Sequence, residues 1–136
     1  MALSASKKIE VILAVCLFLT GVSIYLLWRD EHLLIHRLMA WSGTDSLISP
    51  LRNAVKDIPL PEWVRFALPD GLWSMSYILL IDACVKRGFL LTAVIPALGM
   101  LSELMQLAGW LPGTFDLADL LAYSLPYLIY VLIINK

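Results

Sequence analysis

The sequence predicts an all-α integral membrane protein: a four-helix bundle with short amphipathic surface helices in its first outer loop. Three observations carry that prediction. Of 136 residues, 60% are hydrophobic and 15% charged, against ~45–50% and about 25% in a soluble domain. So short a chain cannot hide that much apolar surface inside itself. Four runs approach the roughly 20 apolar residues that cross a ~30 Å hydrocarbon core. Between the first and second runs, apolar residues recur at helical spacing instead of continuously. A mean hydropathy of +0.82 and a formal charge of −1 exclude a disordered chain, a nucleic-acid-binding domain and an ordinary soluble enzyme.

The first span, residues 9–28, is flanked by Lys7 and Lys8 before it and by Arg29, Asp30 and Glu31 after it. It resembles a signal peptide in position, but its apolar run is long and no Ala-x-Ala-like site follows, so an uncleaved anchor is expected. The outer loop, 29–66, places Leu34, Leu38 and Trp41, with Ile35 and Met39, opposite His36 and Arg37. Ser49-Pro50 reads as a helix start, since proline suits the first helical position. Leu51, Val55 and Ile58 continue the apolar stripe, so two short amphipathic helices on the outer surface are expected. Pro59, Pro61 and Trp63 form a stiff re-entry with the indole at headgroup level.

The second span, 67–85, carries Asp70 and Asp82 near its ends and stops at Lys86-Arg87. The third, 88–110, contains Pro96 and Glu103, and the fourth, 117–135, contains Asp119 and Pro126. Both prolines are expected to bend their spans without ending them. The chain reads as one domain without repeats. Lys7, Lys8, Lys86, Arg87 and Lys136 fall in very short segments, whereas the other five basic residues are spread over 29–65 among five acids. Basic density marks the cytoplasmic side. Both termini and the 86–87 turn are therefore expected inside, and the 29–66 loop and 111–115 turn outside.

Ionisable residues within spans are costly and are functional candidates by default. On a ruler of 1.5 Å per residue, Glu103 lies ~22 Å from the inner boundary and Asp70 ~24 Å. Asp116 and Asp119 open the fourth span from the outer side, so four carboxylates share one level. At about 100° per residue, Asp116, Asp119, Tyr123, Tyr127 and Tyr130 form one stripe, Asp70, Trp73, Ser74 and Tyr77 another, and Gly99, Glu103 and Gln106 a third. Where these faces meet, they would form an outward-opening acidic pocket floored by tyrosines. The candidate ligand-binding residues are Asp70, Ser74, Tyr77, Glu103, Gln106, Asp116, Asp119 and Tyr123.

Plainer roles compete for the same residues. Asp70 and Asp116 suit helix N-caps, and Glu103 and Gln106 suit interhelical hydrogen bonds. An unpaired carboxylate at the depth of Glu103 needs a proton or a partner, for which Arg65, Arg52, Lys56, Tyr123 or a bound cation are candidates. Asp82 and Lys86 have the order of a helical ion pair. His32 and His36 have metal-pair spacing without a certain third ligand and read as a solvated face. Cys16 and Cys84 read as buried hydrophobes. No Gly-rich, zinc-protease or nucleophile-elbow motif occurs.

The run SELMQLAGWLPGTFDLADLLAY, 102–123, resembles the second signature of the VanZ-like family of small bacterial membrane proteins. Glu103, Gln106, Asp116 and Asp119 stand at its Glu-x-x-Gln and Asp-x-x-Asp positions. PDGLWSMSYILL is similar to a diverged first signature, with Asp70 and Tyr77 in place. The chain departs from the family at three points. Trp73 and Ser74 stand where a histidine is usual, Pro112-Gly113-Thr114 where the outer turn has an arginine, and Tyr123 where an asparagine is usual. The resemblance covers roughly the last half of the chain. It implies a multi-pass protein of the bacterial cytoplasmic membrane with an envelope or antibiotic-tolerance role, and no defined reaction.

The expected function is therefore non-enzymatic binding of a cationic or polyol headgroup, a lipid-linked molecule or a partner helix in the outer pocket. Carboxylates and tyrosines supply the acceptors and donors for such ligands. The expected partner is the lipid bilayer, with a homo-oligomer or membrane partner as an option and no nucleic acid. One alternative is an oligomeric channel with acids at its mouth, or a membrane-perturbing effector. The other is a metal-assisted hydrolase or transferase on a lipid-linked substrate. No cofactor is expected beyond a divalent cation at the acids.

Overall fold

The computed structural model describes residues 4–29, 34–85 and 89–134. Asp30, Glu31, His32, Lys86, Arg87 and Lys136, and the side chains of Leu34 and Ile35, lie outside the described residues. The protein is all-helical, without a strand among the described residues. Its elements are α1 (Ala5–Trp28), α2 (Leu34–Ser42), α3 (Asp45–Val55), α4 (Glu62–Cys84), α5 (Phe89–Thr92), α6 (Val94–Leu107) and α7 (Leu117–Ile129). A π-helical turn, Tyr130–Ile134, extends α7.

Among the described residues, two helical stretches are long and apolar enough to cross a membrane: Ala5–Trp28 and the α5–α6 stretch Phe89–Leu107. Leu117–Ile133 is apolar but shorter. Helix α4, of 23 residues, is interrupted by Glu62, Arg65, Asp70 and Asp82 and makes most of its contacts with other helices. The order across the molecule is α1, α4, α7, α6. Small residues allow each step. Ser76 of α4 donates its hydroxyl to the Ala14 carbonyl of α1 at 2.8 Å, and a Cβ at Gly21 would meet the Trp73 indole at 2.6 Å. A Cβ at Gly71 would approach the Ala122 carbonyl oxygen to 3.2 Å, and one at Gly99 would collide with the Tyr123 ring at 2.3 Å. Close packing of helix backbones at small residues is the association mode used where water does not drive helices together.

The buried core is thin: Ala14, Ala67, Ile78, Leu79, Ala83 and Tyr130 are its apolar members. The outward faces of α1, α6 and α7 expose Ile9, Ile12, Leu19, Leu98, Leu107, Leu117 and Leu132, each at more than half of its surface. Both cysteines are exposed as well. Cys16 lies on α1 and Cys84 at the end of α4, and their exposure corrects the expectation that they are buried.

Several local expectations change. Helix α4 begins at Glu62, with Pro61 at its N-cap, so Asp70 sits mid-helix and does not cap it. Helix α3 starts at Asp45, beyond the positive-φ turn at Gly43. That turn and an acid in the first helical turn start the helix ahead of Pro50, which lies inside it. The third apolar run breaks at Ala93, so Pro96 falls in the first turn of α6, where a missing N–H forfeits no intrahelical bond.

Helices α2 and α3 cap one end of the molecule with their polar side inward. His36 is buried and pairs through Nδ1 with Arg52 at 2.7 Å. Arg52 Nε donates to the Leu26 carbonyl at 3.2 Å, and Arg65 Nε donates to the Trp28 carbonyl at 2.6 Å. Two guanidiniums thus satisfy carbonyls at the C-terminus of α1, the end where the helix dipole favours cations. The apolar side of the pair is turned outward, with Trp41 89% and Leu47 71% exposed. His36 is therefore an interior hydrogen-bonding group, not part of a solvated face.

Candidate functional site

Under the α2–α3 end, three helices bring acids into one interior. Helix α6 ends beneath the turn to α7, and Glu103, only 5% exposed, projects there near its last turn. Its Oε2 accepts the backbone N–H of Asp116 at 3.2 Å. Asp116 is the N-cap of α7, its Oδ1 accepting the Ala118 N–H at 2.8 Å. The capping role foreseen for Asp116 is the one it fills. One turn into α7, Asp119 has an Oδ1 that is buried without a hydrogen-bond partner among the described residues.

From α4, Asp70 lies beside the Tyr123 hydroxyl. Asp70 lies within electrostatic range of Asp119 and Glu103, and Asp119 lies close to Glu103 and Asp116. The Tyr123 ring packs over Gly99, so this one side chain links α4, α6 and α7.

The counter-charge is Arg29, at the C-cap of α1. It acts electrostatically on both Asp70 and Asp119. Its guanidinium carbon lies 5.1 Å from the centroid of the Tyr25 ring and 4.9 Å from that of Phe66, a cation–π clamp of the kind arginine favours. In sequence, Arg29 is only a flanking charge of the first span, and the fold turns it toward the acids. Arg65 and Arg52 are instead engaged at the end of α1, Lys56 is exposed, and the partner seen for Glu103 is the Asp116 N–H.

Further polar groups face the same region of α4. Ser74, four residues after Asp70, is fully buried with its Oγ unpartnered among the described residues, and the Trp73 Nε1 is likewise unpartnered. Gln106 is close to the site but packs its amide under the turn, 2.9 Å from where a Cβ on Gly113 would stand. Gly113 has φ 136°, so the turn needs glycine for conformation as well as for space.

The other tyrosines lie elsewhere. Tyr77 donates to the Leu91 carbonyl of α5 at 2.7 Å. Tyr127 stacks between Phe89 and Tyr130. Tyr130 donates to Asp82 Oδ1 at 2.6 Å. Only Tyr123 of the proposed floor reaches the acids, because the helix turns its later tyrosines toward α5 and the far end of α4. At that far end Asp82 also binds Lys7, which pairs with Glu10 at 2.8 Å. Lys7, from a distant part of the chain, is thus the partner seen for Asp82.

Among the described residues, no three His, Cys, Asp or Glu side chains are grouped closely enough to hold a metal ion. The polar atoms of the site offer hydrogen-bond acceptance and charge. It has more carboxylates than guanidiniums and several unused polar atoms beside an aromatic wall. No family model matches this chain, and no curated protein or solved structure matches it either.

Proposed function

We propose that this chain is a multi-pass protein of the bacterial cytoplasmic membrane, VanZ-like in type. In this reading it crosses the bilayer four times with both termini inside, and it binds a cationic or hydroxylated group at the outer acidic cluster. The exposed apolar faces of α1, α6 and α7 support the bilayer setting, since soluble monomers rarely display such continuous patches. The two short amphipathic helices, apolar side outward, fit the lipid–water interface.

The observation that carries the binding role is the convergence of Asp70, Glu103 and Asp119, from three helices, on an interior where Arg29 is the opposing charge. Buried charge without full pairing is expensive. Asp119 retains an unused polar oxygen there, which suits a ligand that arrives with donors. Arg29 also answers the departure of the outer turn from the VanZ-like pattern, by supplying from α1 a guanidinium that the turn lacks. The accompanying role is in envelope or antibiotic tolerance, without catalysis.

The test is titration of the full chain in lipid nanodiscs with spermidine, followed through tryptophan fluorescence, Trp73 being three residues from Asp70 on α4. Saturable quenching that weakens at least about tenfold in Asp119→Asn is expected, equivalent to about 1.4 kcal/mol. An identical titration curve for the wild type and Asp119→Asn would refute the assignment.

A further inference from the structure

Helices α4 and α7, which carry the half-buried Asp70 and Asp119, also leave an apolar groove between them. The groove has a volume of about 480 Å³ and is walled by Leu68, Leu72 and Met75 of α4 and Leu121, Leu125 and Ile129 of α7. At the α2–α3 end it continues into a second hollow of about 460 Å³, through the shared walls of Trp63, Ala67 and Ala118. That upper hollow also contains Glu62 and Asp116, the charged side chains of its lining. Polar mouth and apolar trough form one amphipathic surface.

We propose that this surface is a binding site for a phospholipid with a primary-amine headgroup, the ammonium lying between Glu62 and Asp116 and one acyl chain in the α4–α7 groove. It goes beyond the function proposed above and shares with it only the bilayer setting. Length supports the occupant: from Ala118 to Ile129 the groove runs about 16 Å along α7 at 1.5 Å per residue. One leaflet of a ~30 Å hydrocarbon core is about 15 Å deep. Charge supports the headgroup, because two carboxylates at the mouth attract an ammonium and repel an anionic lipid. The guanidiniums of Arg29 and Arg65 lie against the Phe66 ring that lines the mouth, 4.9 and 5.2 Å from its centroid. Positive charge one ring away suits the phosphate of the same headgroup. Trp63, 60% exposed, stands at the junction of mouth and groove, where an indole suits the headgroup level.

The experiment reconstitutes the full chain in nanodiscs containing either a diazirine-tailed phosphatidylethanolamine or the matching phosphatidylglycerol, and maps photoadducts by mass spectrometry. Adducts concentrated on the groove-facing residues of α4 and α7, at least about threefold more abundant with the amine lipid, are expected. Glu62→Gln combined with Asp116→Asn should erase the headgroup preference, and asparagine retains the N-cap that α7 needs. Leu125→Trp, which fills the groove from an exposed position, should cut labelling by both lipids while leaving spermidine binding at the interior acids unchanged. Equal labelling by the two lipids in the wild type overturns the proposal. So does labelling that persists in Leu125→Trp. A Leu121→Cys variant that forms disulfide-linked dimers in membranes with the groove unlabelled would assign the surface to a second copy of the chain, and also overturns it. Loss of spermidine binding in Asp119→Asn with lipid labelling intact separates the two sites.

Discussion

The carboxylate of Glu103 accepts the backbone N–H of Asp116 at 3.2 Å across the turn between α6 and α7. A buried acid on one helix thereby holds the N-cap of the next. Asp116 in turn caps Ala118, so the start of α7, and with it Asp119, is positioned by a short chain of hydrogen bonds that begins at Glu103.

Glu103→Gln and Glu103→Leu should therefore differ. The amide oxygen of glutamine still accepts from Asp116, and its thermal unfolding in mild detergent should lie close to the wild type. Leucine leaves the N–H without its acceptor, a loss of about 1–3 kcal/mol. Equal melting of the two variants would show that the hydrogen bond does not position the turn.

Gly99 is where α6 admits the Tyr123 ring. A Cβ there would lie 2.3 Å from the ring, so Gly99→Ala forces a rearrangement costing about 1–3 kcal/mol. Adding Tyr123→Leu to the same chain should recover most of the loss. Simple additivity of the two changes, in a double-mutant cycle of detergent melts, would contradict the contact.

Arg29 opposes both Asp70 and Asp119. Arg29→Gln should destabilise the fold by about 1–3 kcal/mol, below the cost of breaking a fully buried pair because the arginine is only half-buried. Asp119→Asn in the same chain should return part of that stability by removing an acid that lost its counter-charge. Further destabilisation by the second change would place the cost of Arg29 loss in its packing on Tyr25 and Phe66.

At the opposite end, Tyr130→Phe removes a hydroxyl that donates to Asp82 at 2.6 Å. A loss of about 1 kcal/mol is expected. Its effect should be non-additive with that of Lys7→Met, because both side chains meet the same carboxylate. Independent effects would mean that Asp82 does not join α1, α4 and the π-helical turn.

Much of this was legible from residue order. Helical class follows from the period of the apolar residues, and the exposed faces of α1 and α6 follow from composition. That Asp70, Glu103 and Asp119 belong to three different apolar runs is read directly from residue order. The hydrogen bond of Asp116 to Ala118 is local and was readable as a cap.

Rotation and neighbourhood were not legible. Periodicity places Tyr77, Tyr123, Tyr127 and Tyr130 on faces, but not opposite any particular helix, and only Tyr123 meets the acids. Prolines mark interruptions without stating which side of the interruption becomes helix, so α4 gained a turn before Asp70 and α3 began before Pro50. The amphipathic loop was recognisable, yet its polar side turned inward because Arg52 and Arg65 meet the carbonyls at the end of α1.

The sequence by itself determined an apolar helical protein with acids inside its apolar runs, since both properties are read along a single chain. Tertiary structure alone decided that Arg29 opposes those acids, that Lys7 joins Asp82, and that α4 and α7 leave an apolar groove between them. Each of these depends on how separate helices are turned and seated at Gly21, Gly71 and Gly99, a relation between distant segments that no local pattern specifies.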